Sequence, residues 1–550
     1  MVNIFCPYMN ISNRYISMCN VKVMQSEQDG KIIYNIQAMA LDAYVYGYPI
    51  VLMNVTEKSM IDTGLEINQF FSQGTFLNPK FNVVVRPNVD TLYSQAWLDL
   101  SREPIILHVP DTFKTYYILQ MLDDWTNVFA SIGARTTGTK EGNFAIIGPG
   151  WKGLLPHGIP KIYAPYNTVW IINRIQTNGA NDYPFVDDLQ VKYTLTPLSY
   201  YKRSNIPIKN TLGKNLISTS QISPMDQVKN MSAKNFFSIM MNAMYMNPPY
   251  PAIQTLEMNK KLLMLGLLPT KNFDIYSLNP LVQQALQYAV HNGPKVIADK
   301  SIKTYKYNEV NGWEILVKNI GYYGIDYTSR AVIAMSVLGA NIPQDAVYGH
   351  NLFDKDRNSL NGTNKYIIHF NKEQIPPVNA FWSITLYNSQ GFLVENPINR
   401  YAVSSHIGKL NYNADGSLDI FIQNTSPSVV EEPNWLPAPT GPFNLTLRMY
   451  WPKQRVLNGE YKPPAVMRLG IIIGVGTLNG VVRRVETIEN NIFLVVNKDT
   501  VFYASMESDV AKKVLKLNIG NHVDIKYVLG TPKNYKGRMA LPLSNIEIIK

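Results

Sequence analysis

The stretch Arg86-Pro87-Asn88-Val89-Asp90-Thr91-Leu92-Tyr93, with Asp123-Asp124-Trp125-Thr126-Asn127 soon after, has a distant counterpart. That counterpart is Asn379-Ala380-Phe381-Trp382, followed by Asn396-Pro397-Ile398-Asn399-Arg400-Tyr401. Solvated loops are built from Lys, Glu, Ser and Gly, whereas these segments use Trp, Tyr, Asn, Asp and Arg. Such side chains join a flat apolar face to directional hydrogen bonding, which suits the wall of a ligand cleft. Short β segments surround both stretches, so the cleft is expected between two β-rich domains.

Working outward, Asn82 to Leu198 reads as short strands bounded by turns. Ile105 to Val109, Thr115 to Met121, Phe144 to Ile147 and Thr168 to Ile172 are the clearest. Before them, the apolar spacing from Gln37 to Met53 predicts a helix that Pro49 should bend or end. After them, Pro224 to about Lys303 reads as helical. Phe236 to Tyr245 is capped by the preceding Ser-Ala-Lys-Asn, and Pro280 to His291 is closed by Gly293. Tyr327 to Leu338 makes another helix. Strand texture returns at Lys365 to Phe370, Phe381 to Tyr387, Ser417 to Gln423 and Phe443 to Trp451, with Asp415-Gly416 as a hairpin signal.

Past Pro463-Pro464 the order changes to strands at Gly480 to Glu486, Ile492 to Asn497 and Thr500 to Ala504. A helix at Glu507 to Leu517 and strands at His522 to Leu529 and Arg538 to Ile549 complete the pattern of an oligonucleotide/oligosaccharide-binding (OB) barrel. The reading is α+β and β-rich: two β-rich regions, a helical connector and a small OB-like barrel. The divisions are an extension at 1–34, a first domain at 35–205, a connector at 206–305, a second domain at 306–468 and the barrel at 471–550.

With 550 residues the chain exceeds a single core, and its 46% hydrophobic and 17% charged residues speak against disorder. The formal charge of +11 comes from scattered Lys and Arg, without a long basic run. Cys6 and Cys19 are the only cysteines, so neither a disulfide framework nor a cysteine zinc site is expected. The first 30 residues lack a signal-peptide pattern, and the longest apolar runs fall short of the roughly 20 residues of a membrane span. A soluble, unexported intracellular protein is expected. The Asn-, Tyr- and Ile-rich composition also fits an AT-rich genome such as that of a large DNA virus, which makes a virion component an alternative setting.

The longer runs around these segments carry a resemblance. Asn88-Val-Asp-Thr-Leu-Tyr-Ser94, Trp125-Thr-Asn-Val-Phe-Ala-Ser131, Arg135-Thr-Thr-Gly138, Gly148-Pro-Gly-Trp-Lys-Gly153 and Thr196-Pro-Leu-Ser199 match one half of it. Pro376-Pro-Val-Asn-Ala-Phe-Trp-Ser383, Asn396-Pro-Ile-Asn-Arg-Tyr401, Tyr412-Asn-Ala-Asp-Gly-Ser-Leu-Asp419, Asn434-Trp-Leu-Pro-Ala-Pro439 and Gly441-Pro-Phe-Asn-Leu-Thr-Leu-Arg448 match the other. Over residues 35–468 the chain resembles bacterial proteins that pair the domains of unknown function numbered 1254 and 1214. The resemblance implies two sandwich-like domains with a helical connection and brings no mechanism. Many relatives carry an export signal that is not expected here, and the barrel lies outside the resemblance.

Candidate catalytic residues are Asp90, Asp124 and Tyr93, since neighbouring acids can split their pKa values into an acid and a base. Taken singly, each Asp is better explained as a turn cap or a partner of Arg86 or Arg135; together they point to a cleft. Candidate ligand-binding residues are Arg86, Asn88, Trp125, Asn127, Arg135, Asn379, Asn396, Arg400, Tyr401 and Trp435. A guanidinium can clamp an anion, and Arg400 beside Tyr401 is the leading candidate. Trp382 reads as core and Trp435 as a lid or wall. Gly148 to Gly153 is a turn rather than a phosphate loop, because the Gly-Lys-Ser/Thr ending is missing. Asp354 to Asn358 fails as a calcium loop, with Ser359 and Lys365 where Gly and Glu belong. The seven histidines show no zinc spacing, and no Gly-x-Ser-x-Gly elbow occurs.

In the barrel, Arg483, Arg484, Lys498 and Lys526 lie among aromatics, a mixture that can hold single-stranded nucleic acid. The simpler alternative puts the aromatics inside the barrel and leaves the charges to solvate it. The leading functional expectation is a small polar or anionic ligand, a saccharide among them, bound between the domains and hydrolysed with Asp acid/base help. Its rival is a structural protein whose barrel grips nucleic acid or another subunit. Neither a cofactor nor a metal is expected, and a homo-oligomer is the expected assembly.

Overall fold

In the strand Thr91–Asp99, Leu92, Ala96 and Leu98 point into one core while Tyr93 and Trp97 point the other way. This period-two alternation builds the first sandwich. Its larger sheet runs Thr211–Gly213, Phe71–Gln73, Thr91–Asp99, Thr168–Gln176, Tyr117–Leu122, Val128–Gly133. The smaller runs Lys161–Tyr163, Gly142–Ile147, Ile105–Val109, Thr194–Pro197. Leu98, Leu107, Leu119, Ile146 and Ile171 fill the space between them. The computed structural model describes residues 27–81, 85–202, 211–213, 222–469, 476–497, 500–527, 533–535 and 538–548, so Cys6 and Cys19 lie outside the described residues.

The second sandwich follows the same logic. Its larger sheet is ordered Glu309–Val310, Trp313–Ile315, Ala346–Asn351, Phe443–Tyr450, Trp382–Asn388, Ala402–Ser404. The smaller is ordered Trp435–Pro437, Leu418–Gln423, Lys365–Phe370, Met467–Leu469. Ile368, Ile384, Ile420, Leu445 and Leu447 form its core, and Trp382 joins them as the sequence suggested.

Helices Glu27–Asp62, Ala233–Met246, Pro280–Tyr307 and Tyr327–Val337 share a third core, which includes Tyr44, Phe236, Phe237, Met240, Ala289 and Val332. Two expected helix ends are overridden here. The first helix runs through Pro49 to Asp62, and the connector helix runs through Gly293 and Pro294 to Tyr307. Burial compensates a missing backbone hydrogen bond, since Tyr44, Tyr48, Ile50 and Val51 are all at most 2% exposed. Gly293 is a packing residue rather than a stop: a Cβ there would overlap the Tyr44 ring, which itself stacks on Phe236 at 4.4 Å.

The last unit closes on itself. Gly476–Ile488 pairs antiparallel with Asn491–Val496 and with His522–Tyr527. Asn491–Val496 pairs with Thr500–Ser505, which lies parallel to Arg538–Ile548, and that strand returns antiparallel to His522–Tyr527. The circuit, with helix Asp509–Val514 between the third and fourth of its strands, is that of an OB-like barrel. Ser508 caps that helix by accepting from the Ala511 amide.

The Gly293 contact yields a test that opposes intrinsic propensity. Alanine in a helix interior ordinarily stabilises by about 1 kcal/mol relative to glycine. Gly293→Ala is expected instead to lower the urea midpoint, by about 1–3 kcal/mol of stability, because the Tyr44 ring has no free space to yield into.

Candidate functional site

All eight residues of Phe443–Tyr450 are buried, although only alternate ones face the apolar core. The other four, Asn444, Thr446, Arg448 and Tyr450, point to the opposite side of the sheet. Ser383, Thr385 and Tyr387 do the same on one neighbouring strand, and Tyr348 and His350 on the other. Register sets Tyr348, Arg448, Ser383 and Ser404 in one row across the sheet, with His350, Thr446 and Thr385 in the next. The large sheet of the second sandwich therefore carries a polar face that is largely withdrawn from solvent, with Tyr348 and His350 half-buried at one side.

What covers that face is the stretch with which the sequence reading began. The Asn88 amide donates to the Tyr450 hydroxyl at 2.8 Å, to Thr91 Oγ1 at 3.1 Å and to the Tyr93 hydroxyl at 3.2 Å. Its carbonyl oxygen accepts from the Asp90 amide at 2.7 Å, which fixes the turn. Ser383 Oγ donates to Asp90 Oδ2 at 2.6 Å, and the Tyr387 hydroxyl donates to the Pro87 carbonyl at 2.7 Å. Arg448 donates to Thr385 Oγ1 at 2.7 Å, to the Tyr387 oxygen at 2.6 Å and to the Arg86 carbonyl at 3.1 Å. From the first sandwich, Arg174 donates to the Tyr93 oxygen at 3.2 Å and to the Gly339 carbonyl at 3.1 Å.

Asp90 Oδ1 and Arg174 Nη1 are among the buried atoms here that lack a hydrogen-bond partner, as are Asn341 Nδ2 beside Tyr348 and His406 Nε2 beside Ser404. Two guanidinium groups, Arg174 and Arg448, and one carboxylate, Asp90, are buried here; Asp90 acts on Arg448, while Arg174 is set against Tyr93, Tyr348 and Tyr450. Burial opposes ionisation of the Tyr93 phenol. The charge and hydrogen bond of Arg174, the Asn88 amide and the charge of Arg448 outweigh it and draw the phenol below its ordinary range. Burial holds Tyr348 up to about 12 and keeps Tyr450 well above its ordinary range, with Asp90 adding to the latter. Burial, then Arg86 and Arg448, keep His350 neutral. The balance in this cluster is cationic.

Beside it lies a groove of about 800 Å³ between the sandwiches, walled by Phe76, Val89 and Tyr183 on one side and by Arg400, Tyr401 and Ile407 on the other. Asn396 pins the loop by accepting from the Arg400 amide at 2.9 Å and donating to its carbonyl at 3.0 Å. The Arg400 guanidinium is anchored on the Glu432 and Trp435 carbonyls. Trp435 is no lid: it is 2% exposed, and its indole donates to the Gln423 carbonyl at 2.8 Å.

The structure thus brings Arg86, Asn88, Asp90 and Tyr93 together, and sets Arg400 and Tyr401 in the adjoining groove. It places Asp124, Trp125 and Asn127 elsewhere. Asp123 accepts from the Trp125 and Asn127 amides at 2.9 Å, the Trp125 indole donates to the Asn247 carbonyl at 3.2 Å, and Asn247 donates to Asp124. Arg330 grips the Trp125 carbonyl and Asn127 Oδ1, so this turn latches the first sandwich to the helices. Arg135 forms an ion pair with Asp345 at 2.6 Å. Asn379 is exposed.

In the barrel, Phe493 and Phe502 are buried at 4% and 0% exposure, which removes them as stacking platforms. Arg483 is exposed, as is Arg484, which pairs with Glu486 at 3.2 Å. Lys498 and the side chain of Lys526 lie outside the described residues. Among the described residues, no three His, Cys, Asp or Glu side chains stand together as metal ligands. Sequence reasoning missed Arg174, Tyr348, Ser383, Tyr387, Arg448 and Tyr450. The available signal was the polar half of the Asn444-Leu-Thr-Leu-Arg-Met-Tyr450 alternation.

The latch has a pH signature. Burial, with Asp99 adding, raises the Glu57 carboxyl from 4.5 to about 7, and burial with Glu57 and Asp123 holds Asp124 well above its usual range. Between about 4.5 and 7 the folded state keeps a proton at Glu57 that the unfolded chain has lost, so stability falls as pH rises through that window. Glu57→Gln is expected to raise the melting temperature at pH 8, with the gain shrinking towards pH 5. A gain independent of pH would show that this carboxyl is not responsible.

Two family models match the chain. "Protein of unknown function (DUF1254)" matches residues 67–197 and "Protein of unknown function (DUF1214)" matches residues 345–454. A search of curated proteins finds no match. Among solved structures, the VPA0106 protein from Vibrio parahaemolyticus is similar, with a TM-score of 0.59 and 22% identity over 79% of this chain and 100% of that one. An uncharacterized protein from Burkholderia cenocepacia aligns at a TM-score of 0.38 and 13% identity, over 80% of this chain and 95% of that one. The chain carries a DUF1254 segment followed by a DUF1214 segment, and the cluster around Asn88 and Tyr450 is where the two meet.

Proposed function

We propose that this interdomain cluster binds a small hydroxylated anion, such as a hydroxy acid or an acidic sugar. The observation that carries the reading is the pair of unpartnered buried atoms, one donor on Arg174 and one acceptor on Asp90, within a cationic cluster. Each orphaned group costs roughly 1–3 kcal/mol when left unpaired. A ligand whose carboxylate accepts from Arg174 and whose hydroxyl donates to Asp90 satisfies both and balances the charge. A neutral ligand does only half of this.

Any chemistry at the site would be proton transfer. One of Asp90 and Tyr93, the latter with its phenol lowered by Arg174, takes the proton from the hydroxyl-bearing carbon and the other returns one to the same carbon, while Arg174 holds the carboxylate that takes up the charge. The cluster holds one carboxylate, not the flanking pair on which most glycoside hydrolases rely, which favours proton shuttling at a hydroxyl-bearing carbon over glycoside cleavage.

The test is ligand-induced thermal stabilisation with lactate, tartrate, gluconate and galacturonate, using glucose as the neutral control. The acids are expected to raise the melting temperature and glucose not to. Asp90→Asn, which keeps an acceptor for Ser383, and Arg174→Gln are each expected to weaken binding roughly ten- to hundredfold. Stabilisation by glucose alone, or undiminished acid binding by both variants, would overturn the reading.

A further inference from the structure

We infer that the ligand of this site is an amphiphile: a hydroxy acid whose head occupies the polar cluster and whose apolar tail lies in the adjoining groove. The inference rests on the anion reading above and extends it to the body of the molecule. Its basis is continuity. Val89 lines the groove and Asp90, the next residue, carries the unpaired carboxylate oxygen. Ser404 also lines the groove, and its cross-strand neighbour Ser383 holds the other Asp90 oxygen. One residue along the chain, or one strand across the sheet, separates the two environments.

The groove has the chemistry of a tail site. Phe76, Val89, Ile398, Val403, Ile407 and Leu410 all contribute to its walls. Its volume of about 800 Å³ is that of a whole-ligand pocket, far more than a carboxylate and a hydroxyl fill. At its rim Val429 stands 86% exposed, an apolar side chain that an occupant would shield from water. Among the charged lining residues Lys409 and Arg400 outnumber Glu432, a balance that favours the approach of an acid from solvent.

A series of 3-hydroxy acids of increasing chain length, titrated by calorimetry into the full-length protein, tests this. Affinity is expected to rise roughly three- to fourfold for each added methylene until the groove is full, because each buries apolar surface. Ala180→Trp places bulk in the groove from an exposed position, and is expected to abolish the chain-length gain while leaving 3-hydroxybutyrate binding unchanged. Binding of the short acid with no dependence on chain length would overturn the amphiphile inference and leave the anion reading standing. If no member of the series binds, both fall. A chain-length gain that persists in Ala180→Trp would place the tail elsewhere and also overturn the inference.

Discussion

A sheet with two buried faces, one of them polar, is the constraint on which this molecule is built. Apolar burial needs only volume and shape, whereas a buried hydroxyl or guanidinium needs a partner at a defined distance and angle. Arg448, Tyr387, Ser383 and Tyr450 find those partners on Arg86, Pro87, Asp90 and Asn88, more than 290 residues away in the chain. The relative placement of the two sandwiches is therefore specified by hydrogen bonding. The helices and the Arg135–Asp345 pair reinforce that placement from the sides.

The same constraint explains how unpaired polar groups come to be buried here. A polar interface under pure stability selection would be fully paired or replaced by apolar residues, which often serve as well. This one keeps an unpaired donor and an unpaired acceptor at its centre and a cationic surplus around them. That arrangement is tolerable because many of the surrounding groups are paired, with Asn88 alone bridging three hydroxyl groups.

Much of the architecture was legible from residue order. Ile105 to Val109 and Lys365 to Phe370 begin and end in the structure where alternation placed them, and the barrel follows the expected succession of strands and helix. Helix ends were less legible, since Pro49 and Gly293 act locally as breakers while their burial is a tertiary fact. At the site, Asn88, Asp90 and Tyr93 stood out because they sit together in a loop and the strand it feeds. Arg448 and Tyr450 were hidden by their own regularity: on an alternating strand, polar positions read as the solvent side. Only the packing of a second sandwich over that side turns them into an interior. Asp124 and Trp125 looked like cleft residues for the converse reason, as a structural latch draws on the same aromatic and amide side chains as a binding wall.

The bridge from Asn88 to Tyr450 has a consequence for how such a chain can be divided or inherited. Each half, taken alone, would present its share of the network to water: a bare row of tyrosines and arginines on one, a loop without its anchor on the other. Neither half is then a module that can travel by itself between genes, because the closed network exists only in their union. Substitutions along this seam would have to arise in matched pairs, one on each side, for the hydrogen-bonded network to survive them.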